Sequence, residues 1–167
     1  MATVNIAYAS SATITIAPEN VATSSTFVAG VESAVIDNTS NKYVDVIVGG
    51  KWRCGTTPTI NTQVLIYVFS VLNDTPDYPD VMDGTSSAET LTSVGVGRGF
   101  LKLAAVIDVD STTSDRDYFV TFSVAQLFGG VMPAKWGLFI THNTGVNSNS
   151  TSGNHVWKYT GITYTVA

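Results

Sequence analysis

Apolar and polar residues alternate over short segments along the whole chain. In residues 11–17, Ile14 and Ile16 alternate with Thr13 and Thr15, the two-residue period of a strand that buries one face. Similar alternation, or a short continuous apolar run, marks further strand candidates at residues 26–36, 43–48, 62–72, 100–109, 117–123, 135–141 and 155–166. The pattern therefore predicts about eight strands.

Three of these segments carry more detailed expectations. Residues 62–72 form the most apolar run, which predicts a central strand buried on both faces. Gly30 interrupts residues 26–36, so this segment forms either two strands or one bulged strand. Gly49 and Gly50 are expected to kink or end the strand over residues 43–48.

Helical periodicity is nearly absent. The best candidate is one short helix over Ser123–Phe128, with Ser123 as its N-cap and Gly129 and Gly130 as its stop. About eight strands separated by turn-forming clusters are typical of two packed sheets. We therefore predict an all-β, two-sheet β-sandwich with a jelly-roll-like topology. Residues 12–167 are expected to form this single domain and residues 1–11 an N-terminal arm.

The composition supports an all-β fold and adds a property of the surface. Among 167 residues there are 23 Thr and 22 Val but only 3 Glu and 2 Gln, which favours strands over helices. Charged residues make up 13% of the chain, against a usual share of about 25%. A polar surface with few ions can be covered by a partner at little desolvation cost. The chain is therefore either an assembly component or an ordinary soluble β domain.

The charge pattern and the apolar segments exclude several classes of function. The net charge is −5, and the eight basic residues are scattered, which argues against binding to nucleic acid. No apolar run approaches the ~20 residues that cross a bilayer, so no membrane is expected. The single cysteine, Cys54, rules out an internal disulfide, and the first residues do not read as a secretory signal.

Two groups of aspartates are the strongest metal candidates. Calcium prefers such oxygen ligands, but aspartates beside proline also form turns. The second group lacks an EF-hand pattern, because Thr113 and Phe119 stand where glycine and glutamate are required. We therefore favour turns and predict no metal and no cofactor. The two groups are Asp74, Asp77, Asp80 and Asp83, and Asp108, Asp110, Asp115 and Asp117.

No set of residues in the sequence points to a reaction. His142 and His155 flank a polar loop, but no third metal ligand can be named. Cys54 follows Arg53, which could activate a thiol, yet no base is placed beside it, so a buried structural thiol is expected. The glycine-rich segment 95–99 lacks the Lys-Ser/Thr of a phosphate-binding loop. We predict no catalytic residues and no enzymatic activity.

The three tryptophans offer a binding alternative. Aromatic side chains on an acidic, Asn-rich β-sandwich fit carbohydrate recognition. However, Trp52, Trp136 and Trp157 each lie in or beside a predicted strand, where packing in the core is the usual role. Both interpretations stay open at this point.

Three segments resemble small structural proteins of tailed-bacteriophage virions. They are SVAQLFGGVMPAKWGLFITHNTG at residues 123–145, NHVWKYTGITYTVA at the end of the chain, and KWRCGTTPTINTQVLIYVFSVLNDTPDYPDVMDG from Lys51. The resemblance covers roughly residues 42–167. It is a matter of general pattern, so it carries over no site residues. Among such components, decoration (cement) proteins of the head fit the length and the single domain.

The resemblance implies a non-enzymatic decoration protein on the capsid surface, made in the host cytoplasm. Its expected partners are the major capsid protein and further copies of itself, as a dimer or trimer. The alternative is a tail-associated or host-recognition module that binds surface glycan. Residues 1–11 and the irregular segment 73–99 are expected to carry the contacts, because long loops in compact domains are often functional. The partner-contact candidates are Tyr8, Pro76, Tyr78, Pro79, Asp80 and Arg98.

Overall fold

The computed structural model describes residues 3–73 and 75–166. Within them the chain forms eleven strands and two short helices. The strands are β1 (Val4–Tyr8), β2 (Ala12–Thr13), β3 (Ala29–Glu32), β4 (Ile36–Asp37), β5 (Asp45–Arg53), β6 (Thr62–Ser70), β7 (Ser87–Thr90), β8 (Lys102–Val109), β9 (Asp117–Ser123), β10 (Lys135–His142) and β11 (Val156–Val166). The helices are α1 (Val94–Phe100) and α2 (Val124–Leu127).

The strands form two antiparallel sheets. The first sheet has the order β1-β11-β5-β9, with β2 also paired to β11. The second has the order β7-β3-β10-β6-β8, with β4 also paired to β10. If the edge strand β7 is left out, the strand orders of the two sheets are those of a jelly roll, in which two Greek keys interleave. The prediction of an all-β, two-sheet sandwich is confirmed, and the strand order gives it the jelly-roll topology.

The main core lies between the two sheets. Burial along β5 alternates strictly, so that Val46, Val48, Gly50 and Trp52 face inward. The expectation that Gly49 and Gly50 end this strand is wrong, because β5 continues to Arg53. The reason is packing: the ring of Trp157 lies where a side chain at Gly50 would be, so the glycine makes room for it.

A second, smaller core lies on the outer face of the second sheet. Phe69 of β6 and Phe139 of β10 pack there against Met82, Leu91 and Leu101. These last three belong to residues 78–101, which we call the covering segment. As a result β10 is buried on both faces from Trp136 to His142. The expectation that residues 62–72 are buried on both faces is therefore wrong, because the strand with that property is β10. In β6 one face is buried and the other is mostly half-buried.

Several elements depart from the expected number and kind. Strands β1 and β7 lie outside the eight expected segments, whereas β2 and β4 are short pieces of expected ones. These four strands have two to five residues each. The segment from Thr26 to Ile36 forms two strands, β3 and β4, but the break falls at residues 33–35 and Gly30 lies inside β3. The expected short helix is confirmed as α2, with the Ser123 hydroxyl accepting from the N–H of Gln126.

The unexpected helix α1 contains three glycines, which are poor helix formers. The Ser93 hydroxyl caps it, and its buried Gly97 lies against Leu91.

Glu32 fastens the covering segment to the second sheet. This side chain is fully buried, and its two carboxylate oxygens accept the backbone N–H groups of Asp83 and Gly84 at 3.1 and 2.8 Å. Burial raises its pKa from 4.5 to about 7 in spite of these two hydrogen bonds, and the carboxylates of Asp83 and Glu89 raise it further. The covering segment is therefore held by an acid that gains a proton more easily in the folded protein than in the unfolded one.

Replacement of Gly50 by alanine should destabilise the fold, whereas the same change at Gly49 should not. A Cβ at Gly50 would lie 2.2 Å from the Trp157 ring, but at Gly49 it would meet nothing within 4 Å. We expect Gly50→Ala to lower the free energy of unfolding by about 1–3 kcal/mol. Gly49→Ala should leave it unchanged or raise it by up to ~1 kcal/mol. Urea denaturation of both variants measures this, and equal effects would contradict the packing described for Trp157.

The stability of the wild type relative to Glu32→Gln should fall as the pH rises. Below pH 4.5 Glu32 is protonated in both the folded and unfolded states. Between pH 4.5 and about 7 the folded state holds the proton more tightly, so a rise in pH through this range removes stability. The difference in unfolding free energy between the two proteins should change by about 3 kcal/mol. Since both proteins keep His142 and His155, their titration cancels; a pH-independent difference would show that Glu32 has an ordinary pKa.

Candidate interaction surface

The first sheet ends in a two-stranded ribbon. Strand β11 pairs with β5 only as far as Ile162, which lies opposite Asp45. Its last residues, 163–166, pair with β1 alone, in a register that places Val4 opposite Val166 and Tyr8 opposite Ile162. We call residues 4–8 and 162–166 the ribbon. An isolated two-stranded hairpin is at best marginally stable in water, so such a ribbon gains from further contacts.

One face of the ribbon is apolar. Residues that are directly paired, or two apart in a strand, share a face. The five side chains of this face that are most exposed have 61–72% of their surface accessible. The opposite face carries Asn5, Ala7, Thr163 and Thr165. We call the first the apolar ribbon face, and its six members are Val4, Ile6, Tyr8, Ile162, Tyr164 and Val166.

A groove lies at the base of this face. It has a volume of about 880 Å³ and separates the ribbon from helix α2 and the turn that follows it. Ile6, Ile162 and Tyr164 line the ribbon side, and Ala125 and Gly130 lie on the other side.

Hydrogen bonds donated to Asp45 fix the position of α2 beside the groove. The carboxylate of Asp45 accepts from the Ser123 hydroxyl at 2.8 and 2.9 Å and from the backbone N–H of Ala125 at 3.0 Å. These bonds tie the first turn of α2 to the start of β5. The wall of the groove is therefore fixed by the fold.

The outer face of the first sheet also carries an exposed phenylalanine. The side chain of Phe119 in β9 is 74% exposed. It borders a shallow groove of about 520 Å³ that opens over Gly49, with Lys51, Val156 and Lys158 around it. Thus the outer face of the first sheet keeps apolar side chains in solvent, while the covering segment buries part of the outer face of the second.

The six partner-contact candidates from the sequence do not form one surface. Tyr8 is 70% exposed on the apolar ribbon face. Residues 4–8 form a strand, while Met1 and Ala2 of the expected arm lie outside the described residues. Pro76 is exposed and precedes the covering segment. Val4, Ile6, Tyr164 and Val166 are not among the six candidates, although the alternation in VNIAY and ITYTV is a signal for them.

The other four candidates belong to the covering segment. Tyr78 packs against Gly84, and Pro79 is buried. The carboxylate of Asp80 accepts from the N–H and hydroxyl of Thr92 at 2.9 and 2.6 Å. Arg98 is exposed on α1. Two of these four therefore stabilise the covering segment itself, since Pro79 is out of solvent and both Asp80 oxygens are used within the chain.

In both expected aspartate groups, carboxylates bind neighbouring protein groups. Asp83 accepts from the N–H and hydroxyl of Thr85, which lowers its pKa. Asp117 forms a two-pronged ion pair with Arg53 at 2.6 and 2.8 Å, which lowers the pKa of Asp117. Asp110 binds Arg116 and the Tyr118 hydroxyl. Asp74 lies outside the described residues. The contacts of Asp83 and Asp110 match the turn interpretation, whereas Asp108 and Asp117 lie within strands β8 and β9.

A different set of acids does come together. Carboxylate oxygens of Glu32, Asp83 and Glu89 lie within 4.8 Å of one another. Each is already engaged: Glu32 holds two backbone N–H groups, Asp83 caps Thr85, and Glu89 accepts from the Ser87 hydroxyl. The arrangement serves to anchor the covering segment.

The histidines, the cysteine and the tryptophans lie in the interior. His142 and His155 flank the Trp52 ring, at centroid distances of 5.3 and 4.8 Å, and burial lowers the pKa of both. Cys54 is buried, which raises the pKa of its thiol to about 11, and its position in the core matches the expected structural thiol. All three tryptophans are at most 2% exposed, which removes them as a sugar-binding platform.

Among the described residues, no helix has the length and apolar character needed to cross a membrane. Comparison with known proteins adds no family: no protein-family model matches the chain, and no curated protein matches it either.

Proposed function

We propose that this chain is a non-enzymatic structural protein of a bacteriophage virion. It decorates the capsid as a homo-oligomer bound to the major capsid protein, and it stabilises the shell. The observation that carries the proposal is the apolar ribbon face, because side chains more than 60% exposed and free of charge are a surface built to be covered. The resemblance of residues 42–167 to small virion proteins is the reason for proposing a virion as the assembly that this protein joins.

The mechanism is the burial of surface between neighbours. A decoration protein opposes expansion of the shell by bridging subunits that would otherwise move apart. Each contact needs only modest affinity, because a symmetric oligomer on a symmetric shell engages several sites at once. Low charge suits this role, since few ions lose hydration when the surface is covered.

Virions that contain this protein should carry it in hundreds of copies. Decoration follows the symmetry of the shell, so copy number scales with the number of capsid subunits. Staining of a protein gel against the major capsid band measures this, with a known tail protein as the low-copy standard. Particles that lack the protein should also release their DNA at a lower temperature. A handful of copies per particle, or none, would contradict decoration.

The exposed Phe119 favours one alternative, a host-recognition module that binds surface glycan. An aromatic ring beside a groove can stack on a sugar face. The groove over Gly49 and the ring of Phe119 provide such a site.

Under the decoration proposal, the isolated protein should not bind host cells, and Phe119→Ala should change nothing in that assay. The matched control is Leu72→Ala, which removes a side chain that is 67% exposed outside this groove. Fluorescently labelled protein and flow cytometry measure the binding. Cell binding that Phe119→Ala abolishes and Leu72→Ala retains would favour host recognition instead.

A further inference from the structure

We infer that a second copy of this chain packs on the apolar ribbon face, so that two ribbons stack face to face about a twofold axis. The inference deepens the proposed function and rests on it, because it names the surface through which the homo-oligomer forms. Three features carry it: the area of the face, its lack of charge, and its shape.

The area of the face suits a dimer. Val4, Ile6, Tyr8, Tyr164 and Val166 are each 61–72% exposed. Together they present roughly 600 Å² of side-chain surface, at the upper limit for the largest patch on a monomer. With the adjoining groove, burial approaches the ~800 Å² per partner of a standard stable interface.

The lack of charge favours the chain itself as the occupant. The protein has a net charge of −5, so two copies repel each other over most orientations. The ribbon, VNIAY and ITYTV, contains no charged residue. Two ribbons can therefore meet without placing like charges together. A basic partner would gain little at this face, because the ribbon carries no acidic group and the carboxylate of Asp45, which lines the adjoining groove, already accepts hydrogen bonds from Ser123 and Ala125.

The shape of the face makes it complementary to itself. The tip of the ribbon carries Val4 and Val166, and the groove beside Ile162 lies at its base. A distance of about 13 Å along the strand separates the two ends. A twofold axis across the central pair, Ile6 and Tyr164, reverses the second ribbon and lays each tip over the groove of the other copy. Such an isologous contact closes at two copies.

The test is the mass of the isolated protein, measured by sedimentation velocity over a range of concentrations. We expect a mass of two chains for the wild type. Lysine at the centre of the apolar face, Ile6→Lys or Tyr164→Lys, should weaken the dimer about 30-fold or more. The matched controls are Asn5→Lys and Thr165→Lys, neighbouring positions on the polar face of the same two strands. These controls should remain dimeric.

Each other result overturns the inference. A wild-type monomer at 200 µM (roughly the concentration at which a weak dimer forms) contradicts it, as does a mass of three or more chains. Equal dissociation by both pairs of variants indicates edge-to-edge pairing through β1 instead. If the lysine variants unfold, hydrogen exchange of the wild type decides: concentration should protect amides in residues 4–8 and 162–166, and protection elsewhere alone refutes the contact.

This result can be separated from the fate of the proposed function. If the isolated protein is a monomer in solution but is abundant on particles, only the dimer inference is overturned. If the isolated protein is a dimer but is absent from every particle, only the proposed virion role is overturned.

Discussion

The structure depends on one constraint: a two-sheet sandwich has two outer faces, and the described residues cover part of only one of them with an apolar cluster. The covering segment buries Phe69 and Phe139 on the second sheet and leaves β10 without an exposed face. Within residues 3–73 and 75–166 no equivalent segment packs over the first sheet, so Phe119 and the apolar ribbon face stay in solvent. This asymmetry divides the molecule into a side that completes its own core and a side that is available to neighbours.

The polar groups follow the same division. Glu32 and the aspartates of the covering segment are used within the chain, as anchors and caps. The ion pairs of β5 and β9 lie at the end of the first sheet, around Asp117, away from the ribbon. Charge thus stabilises local turns and strand pairs, and the apolar ribbon face is left free of it. Surface ion pairs of this kind contribute little to stability, and their position matters more than their number.

Much of the fold could be predicted from the sequence, because its signals are local. The apolar runs of β5 and β6 and the alternation along β9 identify strands, and Ser123 with Gly129 and Gly130 delimits α2. The failures are places where a distant contact outweighs the local preference. Gly50 continues a strand because Trp157 needs its space, and α1 forms from a glycine-rich segment because Leu91 and the Ser93 cap hold it. One strand of the ribbon was predicted, at residues 155–166, but β1 was assigned to an arm because its partner β11 lies at the far end of the sequence.

The pairing of Val4 with Val166 joins opposite ends of the described chain. The apolar ribbon face therefore exists only when strands from both ends of the described chain have joined the same sheet. A chain that lacks either strand, through truncation or incomplete folding, does not present this surface to a neighbour.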